Sequence, residues 1–226
     1  MLERVLEPEV MDNPSEAAAY HAMNHERVNE LFVGDIKKSL PHSGIHGPIL
    51  DLGAGNGLIP VLLRSAFPRS PVVALDAARS MLVIAKQVAA DAGQAAVGLV
   101  QARAQRLPHP DGAFPLVVSN SLIHHLPDPW QALSELWRVL APGGWVFLRD
   151  LFRPGSQSVI ERLVDTYAVG ESETARRLLG ESLHAALTVG EMRELVERLG
   201  VDGATVFASS DRHWTWCCQK PVTAVA

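Results

Sequence analysis

Five short apolar runs, "PILDL", "PVVAL", "VGLVQ", "PLVVSN" and "GWVFLRD", punctuate the chain up to Asp150, and none alternates apolar with polar residues. A strand with one wet face shows a period of two, so runs without it are expected to be buried on both faces, as parallel strands are. Between them lie helical stretches at residues 58–67, 78–91 and 128–140, the last closed by "APGG". Strand, helix, strand, repeated, specifies an open α/β sheet with right-handed crossovers.

The flanks read differently. "MDNPSEAAAYHAMNHERVNELFVGDIKKSL" begins with Asn13 as N-cap, Pro14 at the first helical position and Glu16 completing a capping box, so one long helix is expected from Pro14 to about Leu40. After Asp150 come helices near 159–167 and 176–186, and a third at 189–199 behind a Thr188–Glu191 capping box. "ATVFAS" and "RHWTWCC" are expected as two final strands, the second alternating, antiparallel and near an edge.

With 226 residues, 47% hydrophobic and 20% charged, the chain is expected to fold as one domain: residues 1–45 a helical lid, 46–150 the core, 151–226 a helical insertion with the final strands. A net charge of −5 with scattered basic residues argues against nucleic acid as a partner. The N-terminus lacks a basic start followed by an apolar core, and no apolar window approaches a membrane span, so neither export nor a membrane is expected. Cys217 and Cys218, adjacent and poorly placed to bridge each other, suit a reducing compartment, and the expected location is cytoplasmic.

"ILDLGAGNGLIP" is where function concentrates. Gly53, Gly55 and Gly57 occupy the turn after the first strand, where an open α/β sheet brings backbone close to a ligand. A phosphate-binding P-loop would need Lys and a hydroxyl after the last glycine, and Leu58 and Ile59 stand there. A dinucleotide turn would need a third glycine at Leu58. What remains is Asp51 before the turn and a second acid, Asp76, ending the next strand. Two carboxylates suit a ligand with hydroxyls and an ammonium group, such as adenosine with a methionine tail. Asp76 also reads as a helix N-cap before Ala77 and Ala78.

"ILDLGAGNG", "VVALDAARSMLVIAK" and "VVSNSLIHHLPDPWQALSELWRVLAPGGWVFLRD" resemble, in order, the motifs of the class I S-adenosylmethionine-dependent methyltransferases over about half the chain. The resemblance implies a Rossmann-like fold with an open seven-stranded, mostly parallel sheet, its last strand antiparallel and helices on both faces. It implies S-adenosyl-L-methionine as cofactor, S-adenosyl-L-homocysteine as product and a small-molecule methyl acceptor as partner, in a monomer or homodimer. Asp51, Gly53, Ala54, Gly55, Asn56 and Gly57 would face the methionine part, Asp76 the ribose, Ala77 and Met81 the adenine, and Asn120 the methionine tail. Arg103 and Pro115 stand where the family commonly has acids, leaving Arg103 stacking on adenine, or a backbone group at Ala104, as substitutes.

The acceptor-side pieces, "YHAMN", "RDL", "LVDTYAVGE" and "SDRHW", are similar to the methyltransferase domain of bacterial 5-thiohistidine (ovothiol) biosynthesis, which N-methylates an imidazole. That resemblance nominates Tyr20, Asn24, Arg149, Asp150, Tyr167 and Arg212 as acceptor contacts, with His213 beside them and Asn24 where an acid is usual. His124, in "IHHL", is either a general base or part of the scaffold. On the lid, Ala18, Ala22, Met23 and Leu31 are expected to pack over the cofactor. His21 and His25, four apart on one helix face, lack a third ligand at convincing spacing, so no metal is expected.

Overall fold

The computed structural model describes residues 2–7, 10, 12–23, 26–41, 45–94 and 96–222. Seven strands form one sheet in the order β3-β2-β1-β4-β5-β7-β6. β1 (Ile49–Leu52), β2 (Val72–Asp76) and β4 (Phe114–Asn120) are the expected buried runs, whereas β3 (Gly98–Gln101), at the sheet edge, has no buried residue, contrary to expectation. They pair in parallel, with Asp51 opposite Ala74 on one side and Val118 on the other. The chain leaves β3 at one edge and returns to β4 beside β1, so strand order reverses between β1 and β4. Ligands of open α/β sheets bind beyond the carboxyl ends of strands at such a reversal.

Compactness divides the chain into two units. The larger holds residues 10–120, 131–148 and 217–226. Its core gathers Phe32, Ile36, Ile49, Leu63, Leu116, Val118 and Phe147, with the rings of Phe32 and Phe147 edge to face at 5.5 Å. Burying side chains of this size is worth about 1.5–3 kcal/mol each. The smaller unit holds residues 1–9, 121–130 and 149–216. There α6 (Gln157–Tyr167) and α7 (Glu173–Ala185) pack Ile160, Leu163 and Leu183 against Leu151 and Leu2. Residues 1–9 thus belong to the smaller unit and those from Val10 on to the larger. No helix of the described residues is long and apolar enough to cross a membrane.

The expected long first helix is two. α1 (Pro14–His21) ends in a turn where the Met23 N–H reaches Tyr20 O, and α2 (Glu26–Ser39) starts afresh. Of the apolar positions on the two helices, Ala18, Ala22 and Leu31 are exposed, while Ala17, Phe32, Val33 and Ile36 are buried. Asn13 caps α1, but its Oδ1 takes the Ser15 N–H instead of the Glu16 N–H that a capping box would use. The capping box at Thr188 and Glu191 does form, opening α8 (Val189–Arg198).

"APGG" does not close the helix α5 (Pro129–Val139); it lies within β5 (Leu140–Leu151). Gly143, at φ +74, donates its N–H to Lys220 O, and the Lys220 N–H returns to Gly144 O. Together with the bond from Phe152 N–H to Arg212 O, these set β7 (His213–Gln219) antiparallel to β5. β7 is also antiparallel to β6 (Val206–Ala208), which takes the edge expected for β7. That inner place explains why Trp214, Thr215 and Trp216 are all buried.

Candidate functional site

In the larger unit, the turn after β1 is built by three left-handed glycines, Gly53 (φ 75), Gly55 (φ 52) and Gly57 (φ 81). Their purposes differ. A Cβ on Gly57 would lie 2.7 Å from the Ala85 Cβ and 2.8 Å from its Cα, so this glycine lets α3 (Leu58–Ala66) approach α4 (Arg79–Asp91). A Cβ on Gly55 would meet nothing within 4 Å. The backbone of Gly55 therefore borders open space, as a ligand cradle requires. Gly53 and Ala54 donate their N–H groups to Leu75 O, stitching the turn to β2.

Asp76 ties the cradle together: Oδ2 accepts the Gly55 N–H and Oδ1 the Ala78 N–H, each at 2.8 Å. Both sequence readings of this acid, at the ligand turn and at a helix start, therefore meet in one carboxylate. Asp51 is different. It is 1% exposed, and its Oδ2 has no hydrogen-bond partner among the described residues. Burial, and then the charge of Asp76, push its carboxyl up to about 8. The same two causes raise the Tyr20 phenol, which places Tyr20 in the field of Asp76. A buried carboxylate oxygen left without a donor fits an ammonium group, and the open face of Gly55 fits the chain that carries it.

Around this turn, Met81 and Ala104 are buried and Ala77 and Asn120 partly so. Ala17 of α1 packs on Ala78 and Met81, with Tyr20 against the same cluster. Arg103 is exposed in the loop after β3. Asn24 and His25 lie outside the described residues. Two contacts have no counterpart in the sequence reading. His21 Nδ1 lies 3.2 Å from Asn56 Nδ2 in the glycine turn, and Asp12 Oδ1 accepts the Ser80 N–H and hydroxyl at the start of α4. Nothing in residue type or spacing flags either pair, because each joins segments far apart in sequence.

In the smaller unit, Asp150 is buried and saturated. It accepts the N–H groups of Ile123, His124 and Leu151, and its Oδ1 lies 2.5 Å from His124 Nδ1. Burial opposes its ionisation, but His124 outweighs burial and holds the carboxyl below its usual range. Burial likewise acts to lower His124, and Asp150 more than reverses it. A carboxylate so occupied positions a neighbour; it is not free to take a proton from a ligand.

A second polar group in this unit centres on "SDRHW". The Tyr167 hydroxyl donates to Asp211 at 2.7 Å, and the Arg212 guanidinium sits 3.3 Å over the Tyr167 ring. Arg149 Nε donates to the Thr215 hydroxyl, which donates in turn to the Ser209 hydroxyl. Burial first, then Arg212 with Arg149 adding, push His213 down to about 4, so it is neutral near pH 7. Arg212 thus meets the Tyr167 ring, and His213 lies in the field of Arg212 and Arg149.

Residues 50–148 match a family model described as a methyltransferase domain. The chain is 43% identical over 96 residues to a demethylmenaquinone methyltransferase of Thermus thermophilus, covering 42% of this chain and 43% of that one. This chain therefore spans under half the length of that relative. It is 26% identical over 212 residues to the ubiquinone/menaquinone biosynthesis C-methyltransferase UbiE of Vibrio cholerae, covering 84% and 81%. A crystal structure of a SAM-dependent methyltransferase from Aquifex aeolicus superposes with a TM-score of 0.64 at 18% identity, over 92% of this chain and 98% of that one. Residues 50–148, which carry the glycine turn, thus match a methyltransferase domain, and the fold is that of the superposed structure.

Proposed function

We propose that the chain transfers a methyl group from S-adenosylmethionine to a small polar acceptor bearing a carboxylate, with imidazole amino acids of the thiohistidine type at the head of that class. The observation that carries this reading is the Arg212 guanidinium over the Tyr167 ring, next in sequence to a neutral His213 that lies in the field of Arg212 and Arg149. A guanidinium presents a fork that matches a carboxylate. A neutral imidazole adds a hydrogen-bonding group without a further positive charge, and a Tyr face flanked by Arg offers a flat surface for a ring.

The bound cofactor supplies an electrophilic methyl on a sulfonium sulfur. The chain's own task is then alignment and exclusion of water, which can lower a barrier by roughly 7–11 kcal/mol. Asp51 would pair with the ammonium of the methionine part, the backbone of Gly53 to Gly57 would line it, and Asn120 would stand beside it. Asp76 would accept from the ribose hydroxyls, with Ala77 and Met81 along the adenine. Arg103, exposed in the loop after β3, would stack on the ring, or the backbone of the buried Ala104 would serve in its place. Tyr20, raised by Asp76, stays protonated and would serve as a donor. Asp150 would act through His124 as a positioning residue.

A second reading is ring C-methylation of a quinone, favoured by the names of the two curated relatives. The test measures S-adenosylhomocysteine formation with histidine-derived acceptors against catechols and quinones, in wild type and Arg212→Gln. The expected result is turnover on the imidazoles and a tenfold to hundredfold rise in acceptor KM in the variant, equivalent to about 1.5–3 kcal/mol, with cofactor affinity unchanged. Turnover on quinones alone discards the imidazole reading.

A further inference from the structure

Glu7 and His125 have no part in the chemistry above. Yet with His124 they bring a carboxylate oxygen and two ring nitrogens within 4.8 Å of one another. Glu7 Oε1 lies 3.3 Å from His124 Nε2 and 2.8 Å from His125 Nδ1. A tetrahedral ion that holds its nitrogen and oxygen ligands at about 2.0–2.1 Å sets them about 3.3 Å apart, so these separations are close to those of one coordination face.

Three features distinguish the cluster from a chance contact. His125 Nδ1 is shut off from solvent, and the atom it faces is Glu7 Oε1, so two potential ligand atoms converge on one another inside the fold. Next, Asp150 Oδ1 lies 2.5 Å from His124 Nδ1, which leaves Nε2 as the ring nitrogen that faces Glu7. A carboxylate behind a histidine is the arrangement found around metal-bound imidazoles, where it fixes the tautomer and raises ligand basicity. Finally, Glu7 arrives on an anchored segment. Arg4 donates to the carbonyls of Ala185, His124 and Leu126, Arg153 donates to Leu2 O, and the Ser182 hydroxyl reaches the Glu7 carboxylate. The third donor is therefore positioned before any ion arrives.

From this we propose that Glu7, His124 and His125 form a binding site for a divalent transition metal ion of the size and ligand preference of zinc, with a fourth position open to water or an exogenous donor. Two imidazoles and one carboxylate suit zinc, cobalt or ferrous iron and disfavour magnesium and calcium, which prefer oxygen. All three donors, and the Asp150 behind them, belong to the smaller unit.

The experiment titrates the untagged, metal-stripped chain with cobalt(II) and then zinc(II). Visible absorption reads low-coordinate cobalt, and elemental analysis reads stoichiometry. One equivalent is expected, displaced by zinc. Glu7→Gln and His125→Ala should each abolish the visible bands, and Asp150→Asn should weaken affinity tenfold to hundredfold, as loss of a second partner behind a ligand does. Circular dichroism and an unchanged S-adenosylmethionine affinity identify variants that remain folded, and Glu7→Gln, near-isosteric, serves where His125→Ala does not. Cobalt bands that survive in Glu7→Gln overturn the proposal. So does a wild-type chain that shows no bands at about tenfold excess cobalt, which leaves a protonated His124 between two carboxylates as the account of the cluster.

Discussion

Asp51→Asn should make the chain more stable and its cofactor binding weaker, and pH separates the two effects. In the ligand-free fold the Asp51 carboxyl is pushed up to about 8 by burial and by Asp76, whereas in the unfolded chain it titrates near 3.8. Between those values the folded state holds a proton that the unfolded state has released, so stability falls as pH rises through the window. Each pH unit in that window is worth about 1.36 kcal/mol, so the burden is about 2 kcal/mol at pH 5 and about 4 kcal/mol at pH 7. Asparagine keeps the shape and removes the titration. Urea unfolding at pH 5, 6, 7 and 8 should show the variant gaining on wild type by a margin that grows with pH. The cofactor's ammonium needs the ionised carboxylate, and about a tenth of the sites are ionised at pH 7. Wild-type affinity should therefore climb about tenfold from pH 6 to pH 7, with close to one proton released on binding, read by calorimetry in buffers of different ionisation enthalpy. The variant should bind more weakly, with affinity flat across that range. A stability gap between the two proteins that does not change from pH 5 to pH 8, together with wild-type affinity that ignores pH, would refute the reasoning.

The glycines of the turn should separate by the same logic. Gly57→Ala must push a methyl group into Ala85 at φ +81 and should cost about 2–5 kcal/mol of stability, whereas Gly55→Ala should cost only the left-handed backbone, about 1–2 kcal/mol, and yet lose most cofactor affinity. Thermal melts and calorimetry on both proteins decide it, and normal binding by Gly55→Ala would remove that residue from the cradle. Asp12→Ala should free the approach to α1 from Ser80, so that amides of residues 12–21 exchange faster while the strands keep their protection. Unchanged exchange there would show that Ala17 alone holds α1 on α4.

The parts of the molecule legible from sequence are those where a local rule and the tertiary structure ask for the same residues. β1 and β4 read as buried because both lie inside the sheet, where the faces of parallel strands are covered by the crossover helices, and the glycine turn read as a cradle because left-handed backbone excludes most other residues. "APGG" misled because a helix end and a strand opposite Lys220 both accept glycine, and only the partner strand decides. The single helix expected from Pro14 misled for a related reason. A helical repeat predicts a face only while the helix continues, and the turn at Ala22 and Met23 lets Phe32, Val33 and Ile36 follow a phase of their own.

The acceptor side is harder to read for a physical reason. Cofactor recognition rests on backbone geometry that one contiguous turn encodes, whereas an acceptor contact is a polar side chain whose role depends on what faces it. Tyr167, Asp211 and Arg212 satisfy one another, and Asp150 spends its oxygens on its own neighbourhood and His124. Polar residues so paired would look alike in sequence whether they served a ligand or only the fold. Two buried atoms are more informative: Asp51 Oδ2 at the glycine turn, without a hydrogen-bond partner among the described residues, and His125 Nδ1, which faces the Glu7 carboxylate at 2.8 Å. An unpaired buried polar atom costs about 1–3 kcal/mol, a cost that a ligand supplying the missing partner removes. These two atoms ask for different ligands, an ammonium group at Asp51 and a metal ion at His125, and this is why the tests of the two sites can fail independently.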